Sequence, residues 1–219
     1  MRSKQSIDHT RGPLITAAGC TLLAIGALAH AGDRPAPEHG APTHADASAS
    51  APSADAIRRI LVEVAIPELK MVRQDGTQVS LDKELNDGRP VVLSFVYTSC
   101  TTICPLTSQE FSLLQQRLGK DRERVHLVSI SIDPEQDTPE RLREYAGHFR
   151  AGKEWDYYTG DATASVKAQL AFGVYRGDKM SHNPVTLLRT APGNQWVRLD
   201  GLATAEQMYA ELQGLLARR

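Results

Sequence analysis

The sequence has almost no net charge and very few cysteines, and both features limit the functions that the protein can have. Lysine and arginine number 25 against 26 acidic residues, and the formal net charge of the 219 residues is −1. Without a basic stripe, a nucleic-acid-binding surface is not expected. Internal repeats are also absent, and the length favours one globular domain with an additional segment. The three cysteines are Cys20, Cys100 and Cys104.

The first 31 residues have the pattern of an export signal. A basic start, Met1 to Arg11, leads into an uncharged run from Gly12 to Ala31 that is rich in leucine, isoleucine and alanine. The run ends in small residues around His30, as signal peptidase prefers, and it is also nearly long enough to remain as a bilayer anchor. We therefore predict a periplasmic protein, either soluble after cleavage or tethered to the inner membrane through residues 12–31. Cys20 lies inside this run and is expected to be an ordinary residue of the signal rather than a lipid attachment site.

Residues 32–55 have almost no large apolar side chains. Alanine, proline, serine, histidine and aspartate dominate this segment, which cannot bury enough apolar surface to offset the entropy of ordering. We predict a disordered linker in which His39 and His44 are solvated. The remaining residues, 56–219, are predicted to form the folded domain, and they retain two cysteines in a compartment that permits disulfides.

Within the domain, apolar runs of strand length alternate with segments of helical periodicity. An Asp-Gly turn at Asp75 predicts an early β-hairpin, and Thr138-Pro139 predicts the start of a helix. The predicted strands are 68–72, 78–81, 90–97, 125–132, 155–158, 185–190 and 196–199, and the predicted helices are 106–118, 139–149, 162–172 and 204–216. This order indicates an α/β fold of the thioredoxin-like type, with a mixed sheet flanked by helices and an N-terminal β-hairpin.

The two cysteines of the domain lie where a buried strand passes into a helix. Proline suits the first helical position, so Pro105 places Cys104 at or near the N-cap. The partial positive charge and the free amide groups of a helix start favour thiolate over thiol. A merely structural disulfide is a weaker interpretation, because so short a loop constrains little of the unfolded chain.

The spacing of the cysteines leaves both redox and metal chemistry open. Thioredoxin-type oxidoreductases use C-x-x-C at this turn, and here one more residue separates the thiols. The wider loop lets two thiolates converge on one ion and still oxidise to a disulfide. Thiol peroxidases use Thr-x-x-Cys, which 101–104 match, but Tyr97 stands where their proline is expected.

A metal held by two thiolates needs a third ligand from another loop. His126 falls within a predicted buried strand and His148 near the end of a helix, so packing or solvation explains both. His182 instead occupies a polar loop, 177–184, that precedes a strand and is expected to face the cysteine loop. Met180 in the same loop offers a thioether, although packing is its simpler explanation.

These motifs resemble those of the Sco/SenC family of copper-binding thioredoxin-like proteins. The resemblance runs from about Val72 to the C-terminus and is carried by Tyr97-Thr-Ser-Cys-Thr-Thr-Ile-Cys-Pro105, by Ser129-Ile-Ser-Ile-Asp-Pro-Glu-Gln-Asp-Thr-Pro139 and by His182 before a strand. It implies that Cys100, Cys104 and His182 bind copper, as Cu(I) or Cu(II). Asp133 and Asp137 would order the neighbouring loop.

The resemblance also implies a function in the assembly of a respiratory oxidase. The expected protein is an exported copper chaperone that delivers the metal to an oxidase subunit or another cuproprotein, with no turnover chemistry required. The alternative is a thiol-disulfide oxidoreductase in which Cys100 and Cys104 are redox-active and reduce the cysteines of a partner cuproprotein. Such a protein would itself need a thiol reductant.

Overall fold

The computed structural model describes residues 57–218, so the predicted signal or anchor and the whole predicted linker lie outside the described residues. The described part contains eight strands, five α-helices and two short 3-10 segments. The strands are β1 (Arg58–Val62), β2 (Lys70–Arg73), β3 (Gln78–Ser80), β4 (Val91–Val96), β5 (His126–Ser131), β6 (Trp155–Thr159), β7 (Val185–Arg189) and β8 (Trp196–Asp200). The helices are α1 (Leu81–Leu85), α2 (Ile103–Leu118), α3 (Pro139–His148), α4 (Ala162–Ala171) and α5 (Ala205–Leu216), and the 3-10 segments are Gly119–Arg124 and Lys179–Ser181.

The strands form one mixed sheet in the order β1-β8-β7-β4-β5-β6-β2-β3. β4 is parallel to β5 and antiparallel to β7, and β5 is parallel to β6. Every residue of β4 and β5 is buried, as expected for central strands covered on both faces. Helices α2 and α5 pack against each other, α5 also packs on β7, and α3 packs on β6. The predicted thioredoxin-like α/β fold is confirmed.

Local sequence signals account for most of the helix boundaries. The side chain of Thr138 caps α3 by accepting a hydrogen bond from the amide of Arg141, and Pro139 follows in the first turn. Thr204 forms a capping box with Gln207 at the start of α5. In α2 the apolar positions predicted from the helical period, Phe111, Leu114 and Leu118, are buried. The early hairpin is also confirmed, with β2 and β3 paired antiparallel.

Several elements depart from the sequence-based expectation, among them the short helix α1, which was not predicted. β1 was not expected either, because its apolar residues, 60–62, form only a short run after two arginines; it pairs with β8 at the edge of the sheet. Helix α2 begins at Ile103, earlier than the predicted start at 106, with Thr102 as its N-cap residue. Cys104 therefore lies in the first helical turn, near the N-cap as expected, and Pro105 follows it in that turn.

The sheet topology brings three connections to the same edge. Because β4 and β5 are parallel, the cysteine turn after β4 and the 133–138 segment after β5 leave the sheet at the same side. β7 runs antiparallel to β4, with Ser94 opposite Thr186, so the loop that precedes β7 also lies at this edge. The edge therefore collects Cys100, Asp137 and His182. Among residues 57–218, no helix is both long enough and apolar enough to cross a bilayer.

Candidate metal centre

Cys100 and Cys104 lie in one tight turn that enters α2. The Cys100 amide donates to the Tyr97 carbonyl at 3.2 Å, which closes the turn. The Cys104 amide donates to the Sγ atom of Cys100 at 3.4 Å, and the Thr102 hydroxyl lies 3.8 Å from the same sulfur. Both cysteines are free thiols and both are buried, Cys104 the more completely at 1% exposure against 7% for Cys100. The turn is therefore organised around the Cys100 sulfur.

The two thiols have opposite acidities. Burial alone disfavours a charged Cys100, but hydrogen bonds from the backbone of Cys104 and Thr102 outweigh it and lower the pKa of Cys100 to about 6. Burial raises the pKa of Cys104 well above its usual range, and interaction with Cys100 adds to that rise. At neutral pH the apo turn thus holds one thiolate and one thiol.

This asymmetry predicts a selective alkylation profile for the reduced, metal-free protein. Because only the thiolate reacts, the iodoacetamide rate at Cys100 should rise with pH, reach half of its plateau near pH 6 and change little above pH 7.5. Cys104 should remain slow throughout this range. Mass spectrometry of timed samples measures both sites, and equal rates with a midpoint above pH 8 would contradict the geometry of the turn.

A buried carboxylate connects the cysteine turn to the segment after β5. Asp137 is fully buried and accepts hydrogen bonds from the Thr98 amide at 3.1 and 3.2 Å, from the Thr98 hydroxyl at 2.5 Å and from the Ser131 hydroxyl at 2.6 Å. These donors satisfy both carboxylate oxygens, which a buried charge requires. Asp137 therefore fixes Thr98, two residues before Cys100.

Asp137→Ala should reduce the free energy of unfolding by about 3 kcal/mol, because it leaves several buried donors unpaired around a lost charge. Asp121→Ala is the matched control: Asp121 is exposed and paired with an exposed Arg124, so a change below about 0.5 kcal/mol is expected. Urea unfolding of both variants measures the difference. Equal stability of the two variants would show that Asp137 does not hold the turn.

His182 lies in the loop before β7 with its ring turned toward the sheet. Its Nε2 atom is 3.2 Å from the Phe95 carbonyl oxygen, and the side chain is buried. A carbonyl only accepts, so Nε2 carries the proton and Nδ1 carries the lone pair. Burial lowers the pKa of His182 below its usual range, which keeps the imidazole neutral at pH 7. A neutral imidazole with one N–H fixed by a carbonyl is a typical metal ligand.

The segment just before His182 packs on Tyr97, next to the cysteine turn. Lys179 pairs with Asp133 through an Nζ–Oδ2 distance of 2.5 Å and lies 5.7 Å from the centre of the Tyr97 ring. The Tyr97 hydroxyl donates to the Met180 thioether at 3.6 Å. Burial and interaction with the Cys100 thiol raise the pKa of Tyr97 to about 12. Tyr97 thus stands between the His182 loop and the cysteine turn.

The structure brings the two cysteines together but does not place His182 in one cluster with them. Within residues 57–218, no group of three or more histidine, cysteine or acidic side chains is arranged to hold a metal. His182 lines a cavity of about 390 Å³ with Asp133 and Lys179. Cys100 lines another, of about 410 Å³, together with His148. The sequence predicts His148 near the end of a helix but gives no signal that it lines the same cavity as Cys100.

His126 takes no part in this site. It is the first residue of β5, fully buried, and its Nε2 atom is 3.1 Å from an Asp156 carboxylate oxygen. β5 begins there and reaches the cysteine edge only at its opposite end, so His126 is remote from the turn. The expectation that packing explains His126 agrees with this position.

The donor set at the cysteine edge suits a soft metal ion. Two cysteine sulfurs, one already a thiolate at neutral pH, suit Cu(I), and a neutral imidazole from the adjoining loop would extend the donor set to Cu(II). The carboxylates nearby are already engaged, Asp137 by hydroxyl and amide groups and Asp133 by Lys179. The residues therefore fit copper better than a hard cation such as Mg²⁺, which requires oxygen ligands.

Comparison with known proteins identifies a family and several relatives. The SCO1/SenC family model matches residues 63–217. A SCO1 protein homolog of Bacillus subtilis (strain 168) is 34% identical over 95 residues, which are 43% of this chain and 48% of the relative. The chain thus spans about half the length of the curated relatives that it matches.

Solved structures agree with this relationship. The copper-bound structure of ScoI from Bradyrhizobium japonicum superposes with a TM-score of 0.57 at 28% identity, covering 69% of this chain and 99% of that chain. The copper-bound structure of ScoI from Arabidopsis thaliana gives a TM-score of 0.62 at 22% identity, covering 71% and 100%, and at that identity it supports the fold alone. Since the family model covers well over half of the 219 residues and the fold agrees, the chain belongs to the SCO1/SenC family.

Proposed function

We propose that this protein is an exported copper chaperone that binds one copper ion through Cys100, Cys104 and His182 and delivers it to a respiratory oxidase or another cuproprotein. The observation that carries the proposal is the pairing of two cysteines in one helix-entry turn, with a stabilised thiolate at Cys100, beside a loop that bears a neutral imidazole. The copper-bound ScoI of B. japonicum, 28% identical to this chain, supports copper as the metal.

Binding by all three ligands requires His182 to approach the cysteines. The Lys179–Ser181 segment already contacts Tyr97, so a shift of the loop, with His182 turning from the cavity that it lines, would bring Nδ1 toward the two cysteine sulfurs. The Lys179–Asp133 ion pair resists this shift. The three ligands therefore come together only when copper binds. Their separation offers a route for releasing the copper to an acceptor.

Delivery can be tested with the full chain loaded with Cu(I) and mixed with the soluble copper-centre domain of a respiratory oxidase in its metal-free form. Copper should move to the acceptor and appear there in about one equivalent, measured after the two proteins are separated. The delivery step would be contradicted if the acceptor took no copper from this chain although small thiol ligands could readily remove it.

We place the protein in the periplasm, with residues 1–31 as a cleaved signal or retained anchor and 56–219 as the copper-binding domain.

The acidity difference between the cysteines favours a second candidate function, thiol-disulfide exchange. The Cys100 thiolate, which is more exposed than Cys104, would attack a disulfide in a partner cuproprotein, and Cys104 would complete the reduction as the pair becomes oxidised. A cellular thiol reductant would then restore the dithiol. Copper binding and this chemistry compete for the same two sulfurs.

Either function predicts an intramolecular disulfide in the oxidised metal-free protein. Cys100 and Cys104 interact directly in the turn, so mild oxidant should join them. Bound Cu(I) should protect both thiols from alkylation. Mass spectrometry without reduction measures the bond, and finding only intermolecular dimers under oxidant would mean that the two sulfurs do not meet.

A further inference from the structure

Met180 is the residue of the His182 loop that the structure connects to the cysteine turn. Its side chain is 74% exposed, yet its thioether sulfur is held 3.6 Å from the Tyr97 hydroxyl. Single exposed apolar side chains are common and need no explanation. The Met180 sulfur is different from such a side chain because it contacts a residue of the cysteine turn and is a soft donor that water can reach.

The partner of the Met180 sulfur belongs to the cysteine site. The Tyr97 carbonyl accepts the hydrogen bond from the Cys100 amide that closes the cysteine turn. Tyr97 thus contacts an exposed thioether through its hydroxyl and the cysteine turn through its backbone. The neighbouring ammonium of Lys179 is already paired with Asp133, so no unpaired positive charge of the 3-10 segment faces the thioether.

We propose that Met180 is a thioether ligand for Cu(I) at the surface, where copper binds first and from which it passes to Cys100 and Cys104. The inference rests on the proposed copper function. Thioethers are soft ligands that favour Cu(I), and they carry no proton, so binding at Met180 releases none. Each step is a ligand exchange. A bond from Cu(I) to the Met180 sulfur forms as a donor ligand leaves, and bonds to the two cysteine sulfurs then form as the Met180 bond breaks and the Cys104 thiol releases its proton to solvent. The oxidation state of copper does not change in either step.

The direct test is the methyl NMR spectrum of the full chain labelled with ¹³C-methyl methionine. The sequence has four methionines, and two of them, Met71 and Met208, are buried internal controls. Substoichiometric Cu(I) should shift or broaden the Met180 signal, which Met180→Leu identifies, and should leave the two controls unchanged. A Met180 signal that does not respond while the cysteines bind Cu(I) would overturn the inference.

A kinetic measurement distinguishes copper binding by Met180 from a packing role of its side chain. Transfer of Cu(I) from a chromogenic chelator to Met180→Leu should be slower by about tenfold, with one copper still bound at the end. Leu61→Met is the matched control, since it adds a thioether at a 55% exposed position on β1. Alone, Leu61→Met should leave the rate of Cu(I) transfer unchanged, and combined with Met180→Leu it should not restore that rate. Unchanged transfer by Met180→Leu, or rescue by Leu61→Met, would refute a specific ligand at position 180.

The Cys100→Ser/Cys104→Ser double variant distinguishes failure of this inference from failure of the proposed function. In that variant a weak response of the Met180 signal to Cu(I) should persist, while tight binding is lost. Tight binding retained without the cysteines would refute the proposed function. A Met180 signal that is silent in both the double variant and the wild type would refute only the surface ligand.

Discussion

Cys100→Ser or Cys104→Ser is expected to abolish tight copper binding by the full chain. Each substitution replaces one soft sulfur by a hydroxyl that binds copper poorly, so the affinity for Cu(I) should fall by at least about 100-fold. The effect should be similar at both positions although their acidities differ, because Cu(I) displaces the Cys104 proton on binding. Competition with a chromogenic Cu(I) chelator measures the affinity.

The matched control for the cysteine variants is Thr101→Ser. Thr101 is exposed in the same turn and is not among the proposed ligands. The Thr101→Ser variant should therefore bind Cu(I) with the affinity of the unchanged protein. Circular dichroism of all the variants checks that the fold is kept. Stoichiometric copper retained by the double serine variant would show that the thiols are not the site.

His182→Ala is expected to separate copper chemistry from thiol chemistry. Loss of the imidazole should weaken Cu(II) binding by about 10- to 100-fold and remove the sulfur-to-Cu(II) charge-transfer absorption, because a nitrogen ligand suits Cu(II). Support of oxidase assembly should be lost with it. Reduction of a model disulfide by Cys100 and Cys104 should change little, since the Cys100 thiolate is stabilised by amides of its own turn rather than by His182.

His148→Ala provides the comparison for the His182 variant. His148 lines the same cavity as Cys100, so it tests whether any nearby imidazole would serve. We expect normal Cu(II) absorption and normal assembly in this variant. Normal spectra and assembly in His182→Ala, with disulfide reduction abolished, would instead favour the reductase function.

The central sheet and the cysteine turn could be predicted because local signals and burial agree there. The unbroken apolar run of β4 and the strand-to-helix position of Cys100 both follow from residues adjacent in sequence. Strand β1 could not be predicted in the same way. It pairs along its length with β8, from Arg58 opposite Asp200 to Val62 opposite Trp196, so it forms only against a partner that is distant in the sequence.

The position of His182 shows why a ligand set is harder to predict than a fold. Its loop was expected to face the cysteine turn, and the structure brings that loop onto Tyr97. The ring itself turns to the Phe95 carbonyl, a contact with a backbone atom 87 residues away that no side-chain pattern encodes. Likewise, the hydrogen bonds from Thr98 to Asp137 join residues 39 positions apart and depend on the parallel pairing of β4 and β5, whereas the bond from Ser131 is local.

X-ray absorption at the copper edge tests the central claim most directly. The full chain loaded with one equivalent of Cu(II) should show two sulfur ligands and imidazole scattering, and His182→Ala should lose the imidazole scattering while His148→Ala keeps it. Imidazole scattering that survives in His182→Ala, or fewer than two sulfurs in the unchanged protein, would contradict binding by Cys100, Cys104 and His182.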